Sequence, residues 1–147
     1  MCSSDLVPTL GIGGGPFYKT SDEAAFLTWL RLMLVRESGD RLYVDSGAPR
    51  AWFLPGRAIE VDRAATFFGE LSFRIESHTE RGFIEAHISP PQRSRPKEIV
   101  LRLRHPSGKR MVRVELSGKN WTQFVPDRET IPLPLDRREI AVRAFYR

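Results

Sequence analysis

From Arg41 onward, apolar and polar residues alternate in short runs, the pattern of strands with one buried face and one wet face. The clearest example is residues 97–116, where two alternating runs flank a turn at Pro106-Ser107-Gly108. Two such runs joined by a short turn predict a β-hairpin. Because a hairpin needs a partner layer over its apolar face, we expect the other alternating runs to supply one.

Those other runs give the fold class. They lie at residues 42–44, 59–61, 71–75, 84–88, 131–133 and 140–146, separated by turn residues. Pro132 and Pro134 place the run 131–133 at a sheet edge, since proline cannot donate to the ladder. Ser117-Gly118 is predicted to be a tight turn. We therefore predict a mainly β chain: an antiparallel β-sandwich of about eight short strands, preceded by one N-terminal α-helix.

The predicted helix has apolar residues on nearly every side. Thr20 and Glu23 form a capping box, the helix runs to about Arg36, and Gly39 is expected to stop it. Its apolar positions are Phe26, Leu27, Trp29, Leu30, Leu32, Met33 and Leu34. A helix of this kind is normally buried all round, which a small sheet cannot achieve. It is therefore interpreted as the remnant of a missing helical domain, or as a helix covered by loops or by a second copy, with self-association through Phe26, Trp29, Leu30 and Met33.

These patterns divide the chain into three segments. Residues 1–16 are predicted to be a disordered tail, because four of the six residues 11–16 are glycine and the segment has little capacity for packing. The run 2–6 resembles a translated sequencing-library adapter, so these first residues are expected to be foreign, and whether the whole of 1–16 is natural stays open. Residues 17–38 form the helical segment, and residues 39–147 form the β-sandwich.

Composition fits one soluble domain. The chain has 147 residues, 41% hydrophobic and 28% charged, with no apolar run long enough for a membrane span. Its start shows no secretory signal, and localisation stays open. Cys2 is the only cysteine, which excludes an internal disulfide. The net charge of +5 raises the possibility of a nucleic-acid partner, but the basic residues are interspersed with acidic ones, as on an ordinary solvated face.

The sequence offers little chemistry. His78, His87 and His105 have no metal-ligand spacing, so neither a metal nor a cofactor is predicted, and no serine-nucleophile motif is present. Carboxylates that could act on sugars are Glu70, Glu76, Glu85, Glu98 and Glu115, all in polar strand phase. Aromatic candidates for carbohydrate contact are Trp52, Phe83 and Trp121. The two tryptophans are more typical of plugs at the ends of a sandwich, whereas Phe83 is on the outward phase.

Four segments carry a family resemblance: 26–37, Pro49-Arg50-x-Trp52-x-Leu54-x-Gly56, Thr66-x-Phe68-Gly69 and Glu98 to Arg104. Together they resemble the C-terminal region of bacterial glycoside-hydrolase-like proteins that have an (α/α)6 toroid, the six-hairpin glycosidase arrangement, followed by a β-sandwich. The resemblance implies that the helix is the last toroid helix. Departures from the family are Ser117 in place of asparagine and Ala65 in place of proline.

The resemblance implies a non-catalytic portion of a truncated glycoside hydrolase, which braces the absent toroid. No catalytic residue carries over, because the toroid holds the cleft. The parent would be periplasmic or secreted. Two alternatives remain at this point: a carbohydrate-binding module that uses exposed aromatics, and a basic β-domain that binds nucleic acid.

Overall fold

The computed structural model describes residues 20–136 and 139–147, with side chains from residue 24 onward. The predicted tail 1–16 and the side chains of the capping box therefore lie outside the described residues. One helix, α1 (Thr20–Leu34), precedes ten strands. These are β1 (Val35–Ser38), β2 (Arg41–Val44), β3 (Ala58–Thr66), β4 (Gly69–His78), β5 (Phe83–Ser89), β6 (Glu98–Arg102), β7 (Met111–Leu116), β8 (Lys119–Trp121), β9 (Thr130–Leu133) and β10 (Ile140–Tyr146).

The strands form two sheets, which confirms the predicted mainly β fold. A four-stranded sheet has the order β1-β2-β6-β9, and a six-stranded sheet has the order β3-β4-β5-β10-β7-β8. β2 and β6 run parallel, and the other pairs are antiparallel. Alternate residues of both sheets, such as Leu42, Leu101, Ile84 and Val142, belong to one buried apolar cluster. The alternation therefore identified the buried faces correctly.

The predicted hairpin at 97–116 is wrong. Its first run forms β6 in the four-stranded sheet, and its second run forms β7 in the six-stranded sheet. The turn at Gly108 does exist, with its N–H bonded to the carbonyl of His105 at 3.0 Å. The connection passes from one sheet to the other. Because both arrangements bury the same alternate residues, apolar periodicity cannot distinguish them.

The end of the helix also differs from the prediction. α1 ends at Leu34, and β1 follows with no residue between them. Gly39, which was expected to stop the helix, has φ +60 and turns β1 into β2. Residues 35–38, assigned to the helical segment, therefore belong to the four-stranded sheet.

Two smaller predictions are confirmed. Ser117 and Gly118 have φ +48 and +78 between β7 and β8, as a tight two-residue turn requires. β9 with Pro132 lies at an edge of its sheet.

Contacts divide the chain into two compact units, with the boundary between Arg31 and Leu32. Within the described ranges, no helix is both long enough and apolar enough to cross a membrane.

Candidate functional site

The two tryptophans proposed for carbohydrate contact pack against the core. Trp52 and Trp121 are half-buried beside the buried cluster. The indole Nε1 of Trp121 donates a hydrogen bond to the carbonyl of Pro132 at 3.2 Å. Both rings are thus partly used by the fold, and sugar contact at Trp52 and Trp121 stays a prediction.

Phe83 has the predicted outward phase, but its ring is covered. It is 7% exposed. The rings of His78 and Phe145 lie 5.0 and 6.0 Å away, and the guanidinium groups of Arg143 and Arg81 lie 4.9 and 5.1 Å from its centroid. Exposure of Phe83 is therefore corrected: alternation fixes the side of a strand, but neighbouring side chains decide whether that side is open. Sugar contact at Phe83 stays a prediction.

Most carboxylates considered for sugar chemistry belong to ion pairs. The pairs are Glu76 with Arg74 (2.6 Å), Glu85 with Arg143 (3.0 Å), Glu98 with Arg41 (3.4 Å) and Glu115 with Arg113 (2.7 Å). Pairs of this kind are typical of a solvated protein face. In the part of the chain that the structure describes, no three His, Cys, Asp or Glu side chains are grouped to hold a metal ion.

The structure instead draws attention to residues 45–48, here called the anchor loop, which hold the end of α1. The N–H of Asp45 donates to the carbonyl of Leu34 at 2.6 Å, and the N–H of Gly47 donates to the carbonyl of Met33 at 2.8 Å. The last carbonyls of a helix have no partner within the helix, so the anchor loop caps them. A Cβ on Gly47 would lie 2.9 Å from the Cα of Met33, which explains why glycine stands there.

Two arginines at the end of β6 hold the anchor loop from its other side. Arg102 Nη1 donates to the carbonyl of Ser46 at 3.1 Å, and Arg104 Nη1 donates to the carbonyl of Ala48 at 3.0 Å. The amides of the loop thus bind the helix, and its carbonyls bind the arginines. This makes a continuous path of hydrogen bonds from α1 to β6.

Glu129 fixes these arginines. Its Oε1 lies 2.7 Å from Arg50 Nη1, and its Oε2 lies 3.4 Å from Arg104 Nε and 3.6 Å from Arg102 Nη2. Glu129 is 8% exposed, and we call these four residues the arginine cluster. One carboxylate that faces three guanidinium groups in a buried setting is held by charge-assisted bonds and orients all three.

Asp45 adds a second acid to this region. It is fully buried, has φ +58, and neither carboxylate oxygen has a hydrogen-bond partner among the described residues. Burial raises its pKa to about 8, although the charges of Arg104 and Arg102 act to lower it. At neutral pH the side chain is therefore mostly protonated, which removes much of the cost of an unpaired buried charge.

His105 and Tyr146 pack next to the arginine cluster, through Arg50. Arg50 Nη1 donates a hydrogen bond to the carbonyl of His105 at 2.7 Å. The ring centroids of His105 and Tyr146 lie 5.3 Å apart. The hydroxyl of Tyr146 donates to the carbonyl of Leu103 at 3.1 Å. Burial, with nearby positive charges, lowers the pKa of His105, and burial raises the pKa of Tyr146. Both side chains are therefore neutral at pH 7 and act in packing.

Sequence reasoning found part of this site without recognising it. Arg50, Arg102 and Arg104 stand in the segments that carry the family resemblance, which were interpreted as packing motifs. Asp45 and Glu129 were missed. The run Asp45-Ser46-Gly47 has turn composition, but nothing near Glu129 in the sequence indicates a buried charge. The groups of the arginine cluster bind one another and the backbone carbonyls of Ser46, Ala48 and His105.

Comparisons with known proteins give only weak similarity, and only to solved structures. No protein-family model matches the chain, and no curated protein matches it. Among solved structures, the chain is similar to Ara127N-Se, a GH127 β-L-arabinofuranosidase from Geobacillus stearothermophilus T6, with TM-score 0.42 and 14% sequence identity. The match covers 86% of this chain and 18% of that one. That neighbour is a glycoside hydrolase, but a match of this size assigns no family to the chain.

Proposed function

We propose that this chain is the non-catalytic C-terminal portion of a longer glycoside hydrolase, and that its β-sandwich braces a helical catalytic domain to which α1 belongs. The observation that carries the proposal is the bare apolar surface of α1. Phe26, Leu27 and Trp29 are 60%, 62% and 65% exposed, and Leu32 is 42% exposed. At 3.6 residues per turn these four positions spread over about 220° of the helix circumference.

A surface of this kind favours a partner. Burying one such side chain fully is worth roughly 1.5–3 kcal/mol, so covering four that are half exposed gains about 4 kcal/mol or more. A free-standing helix normally presents polar residues on its open face. Packing among the other helices of a toroid would cover α1 on every side, which is the environment that the sequence resemblance implies.

The anchor loop and the arginine cluster supply the bracing. α1 joins β1 directly, and its last two carbonyls accept hydrogen bonds from Asp45 and Gly47. Glu129, through Arg102 and Arg104, fixes the carbonyls of the same loop. In this proposal, these bonds attach the end of α1, at Met33 and Leu34, to the sandwich, and a helical domain that includes α1 would be joined to the sandwich there.

The surface of the six-stranded sheet gives little support to the nucleic-acid alternative. Arg74, Arg113 and Arg143, which are partly exposed on the six-stranded sheet, each lie within 3.0 Å of a glutamate oxygen. Phosphate binding would have to break these pairs.

The proposal is tested by the DNA upstream of the codon for Phe17 in a complete copy of the gene. We expect an open reading frame that continues upstream and encodes further pairs of amphipathic helices. A start codon with its own promoter immediately upstream would overturn the proposal, because α1 would then have no helical domain to join.

A further inference from the structure

Phe67 is an aromatic residue that is largely exposed to solvent. It lies at the tip of the turn between β3 and β4 and is 75% exposed. Among the aromatic residues of 32–136 and 139–147, all others are buried or half-buried. Aromatic side chains are among the groups that line small-molecule binding sites, so an exposed ring beside a groove is a candidate contact point.

The turn that carries Phe67 is held by distant parts of the chain. The N–H of Phe67 donates to Glu37 Oε1 in β1, and its carbonyl accepts a hydrogen bond of 2.5 Å from Arg93 Nη2. The carbonyl of Phe68 accepts from the N–H of Ser94 at 3.0 Å. Because both backbone groups of Phe67 are fixed from outside the turn, the ring stands on a rigid base. Little conformational entropy is lost when such a ring meets a ligand.

The neighbours of Phe67 have structural tasks, whereas Phe67 itself is largely exposed. Thr66 Oγ1 donates to the carbonyl of Gly69 at 2.6 Å, which closes the turn. Gly69 has φ +120, and a Cβ there would lie 3.1 Å from the Cβ of Arg93. Phe68 packs against the core. These contacts explain Thr66, Phe68 and Gly69, the three residues of the resemblance segment, and leave the side chain of Phe67 unexplained.

A groove of about 690 Å³ adjoins this turn, with Thr66 and Gly69 in its lining. Its polar side chains come from Glu70, Ser72, Ser89, Gln92, Arg93 and Glu139. Gln92 Nε2 donates to the carbonyl of Pro90 at 2.9 Å, which orients an amide that still has further donor and acceptor capacity. The volume is within the usual range for small-ligand sites.

We propose that Phe67 and this groove form a binding site for a neutral saccharide. The apolar C–H face of a sugar packs on an exposed ring, and its hydroxyls match the mixed donors and acceptors of Gln92, Glu70 and Glu139. Both carboxylates repel an acidic sugar or a phosphate. Among the described residues of the lining, Arg93 is the one cation, and it already donates a hydrogen bond to the carbonyl of Phe67. This inference does not depend on the bracing role, and it assigns sugar contact to a residue other than Trp52, Phe83 and Trp121.

The test is an amide-resolved NMR titration of the full chain with cellohexaose, xylohexaose and α-1,5-L-arabinohexaose at millimolar concentrations. We expect at least one of them to shift the amides of Phe67, Gly69 and Gln92. Phe67→Ala and Phe67→Leu should each weaken binding at least tenfold, whereas Phe67→Trp should retain it. The leucine variant keeps an apolar side chain but removes the ring, so it distinguishes stacking on the ring from nonspecific hydrophobic contact.

Leu54→Ala, which shortens another exposed apolar side chain, is the matched control and should leave affinity unchanged. Since Phe67 is 75% exposed, the three Phe67 variants should keep the wild-type spectrum elsewhere. The proposal is overturned if none of the three oligosaccharides shifts these amides, if binding survives in Phe67→Ala, or if shifts instead centre on Trp52 or Trp121.

Discussion

Glu129 and Arg50 form an ion pair of 2.7 Å, although Glu129 is almost completely buried. Removing one partner of such a pair leaves the other charge unsatisfied in a poorly solvated place. Loss of the Glu129 carboxylate would leave the positive charges of Arg50, Arg102 and Arg104 close together without a neutralising group. We therefore expect the stability of the anchor loop to depend strongly on the carboxylate of Glu129.

We expect Glu129→Gln to lower the free energy of unfolding by about 2–4 kcal/mol. The size reflects the burial of Glu129, moderated by the partial exposure of Arg50. Glu115→Gln, which breaks a 2.7 Å pair with the more exposed Arg113, is the control and should cost about 0–1 kcal/mol. Urea denaturation of both variants measures the difference. Equal losses of unfolding free energy in the two variants would show that the arginine cluster contributes no more to stability than an exposed ion pair.

Gly47→Ala should loosen the end of α1. The added Cβ would lie 2.9 Å from the Cα of Met33, a backbone atom, and 3.1 and 3.2 Å from its Cγ and Cβ, so the backbone would have to shift. Overpacking of this kind costs about 1–3 kcal/mol. Hydrogen exchange should show faster exchange of the Asp45 and Gly47 amides, which bond the helix carbonyls. Ser46→Ala, in the same loop, should leave those two amides protected; similar exchange in both variants would contradict the steric argument.

The buried acid Asp45 should make stability fall with rising pH. Its folded pKa of about 8 lies above the unfolded value of 3.8, so the folded state binds more protons between these values. The free energy of unfolding therefore decreases as pH rises from about 4 to about 8, and no further loss from this group occurs above that.

Asp45→Asn keeps the shape of the side chain, tolerates a positive φ and removes the titration. Relative to wild type, we expect it to be stabilising by more than about 1 kcal/mol at pH 9 and close to neutral at pH 5, because one pKa unit corresponds to about 1.4 kcal/mol. Urea denaturation at the two pH values checks this. A difference between the two proteins that is the same at both pH values would be evidence against a raised pKa.

Self-association should follow from the bare surface of α1. Of the four side chains that the sequence indicated, Phe26 and Trp29 are exposed, and Leu30 and Met33 are half-buried. In sedimentation velocity we expect concentration-dependent oligomers of the wild-type chain. The double variant Phe26→Glu/Trp29→Glu should weaken association at least tenfold, whereas Val112→Glu, at another exposed apolar position, should not. A wild-type chain that stays monomeric at high concentration would count against the exposed helix as a contact surface.

The sequence was sufficient for most elements and for the buried faces. Alternation located residues such as Ile84, Ala86 and Ile88 correctly in the core, because the side of a strand is a local property. Pairing is not local. The run that became β6 and the run that became β7 read as a hairpin, yet they belong to different sheets.

The candidate site was harder to predict for the same reason. Arg102 meets the anchor loop across 56 positions of sequence, and Arg104 meets Glu129 across 25. Burial of Glu129 results from charge neutralisation by residues that are far apart in the chain, so its own neighbours in sequence carry no sign of it. The exposure of Phe67 could not be predicted from the sequence either, because an apolar side chain is expected to be buried.

The most direct measurement of bracing uses the upstream helical region of the complete gene, expressed separately and mixed with this chain. If the sandwich braces that region through α1, the melting temperature of the helical region should rise by several degrees when the wild-type chain is added. The Phe26→Glu/Trp29→Glu chain should give no rise. No rise with wild type, or the same rise with both chains, would contradict the central claim.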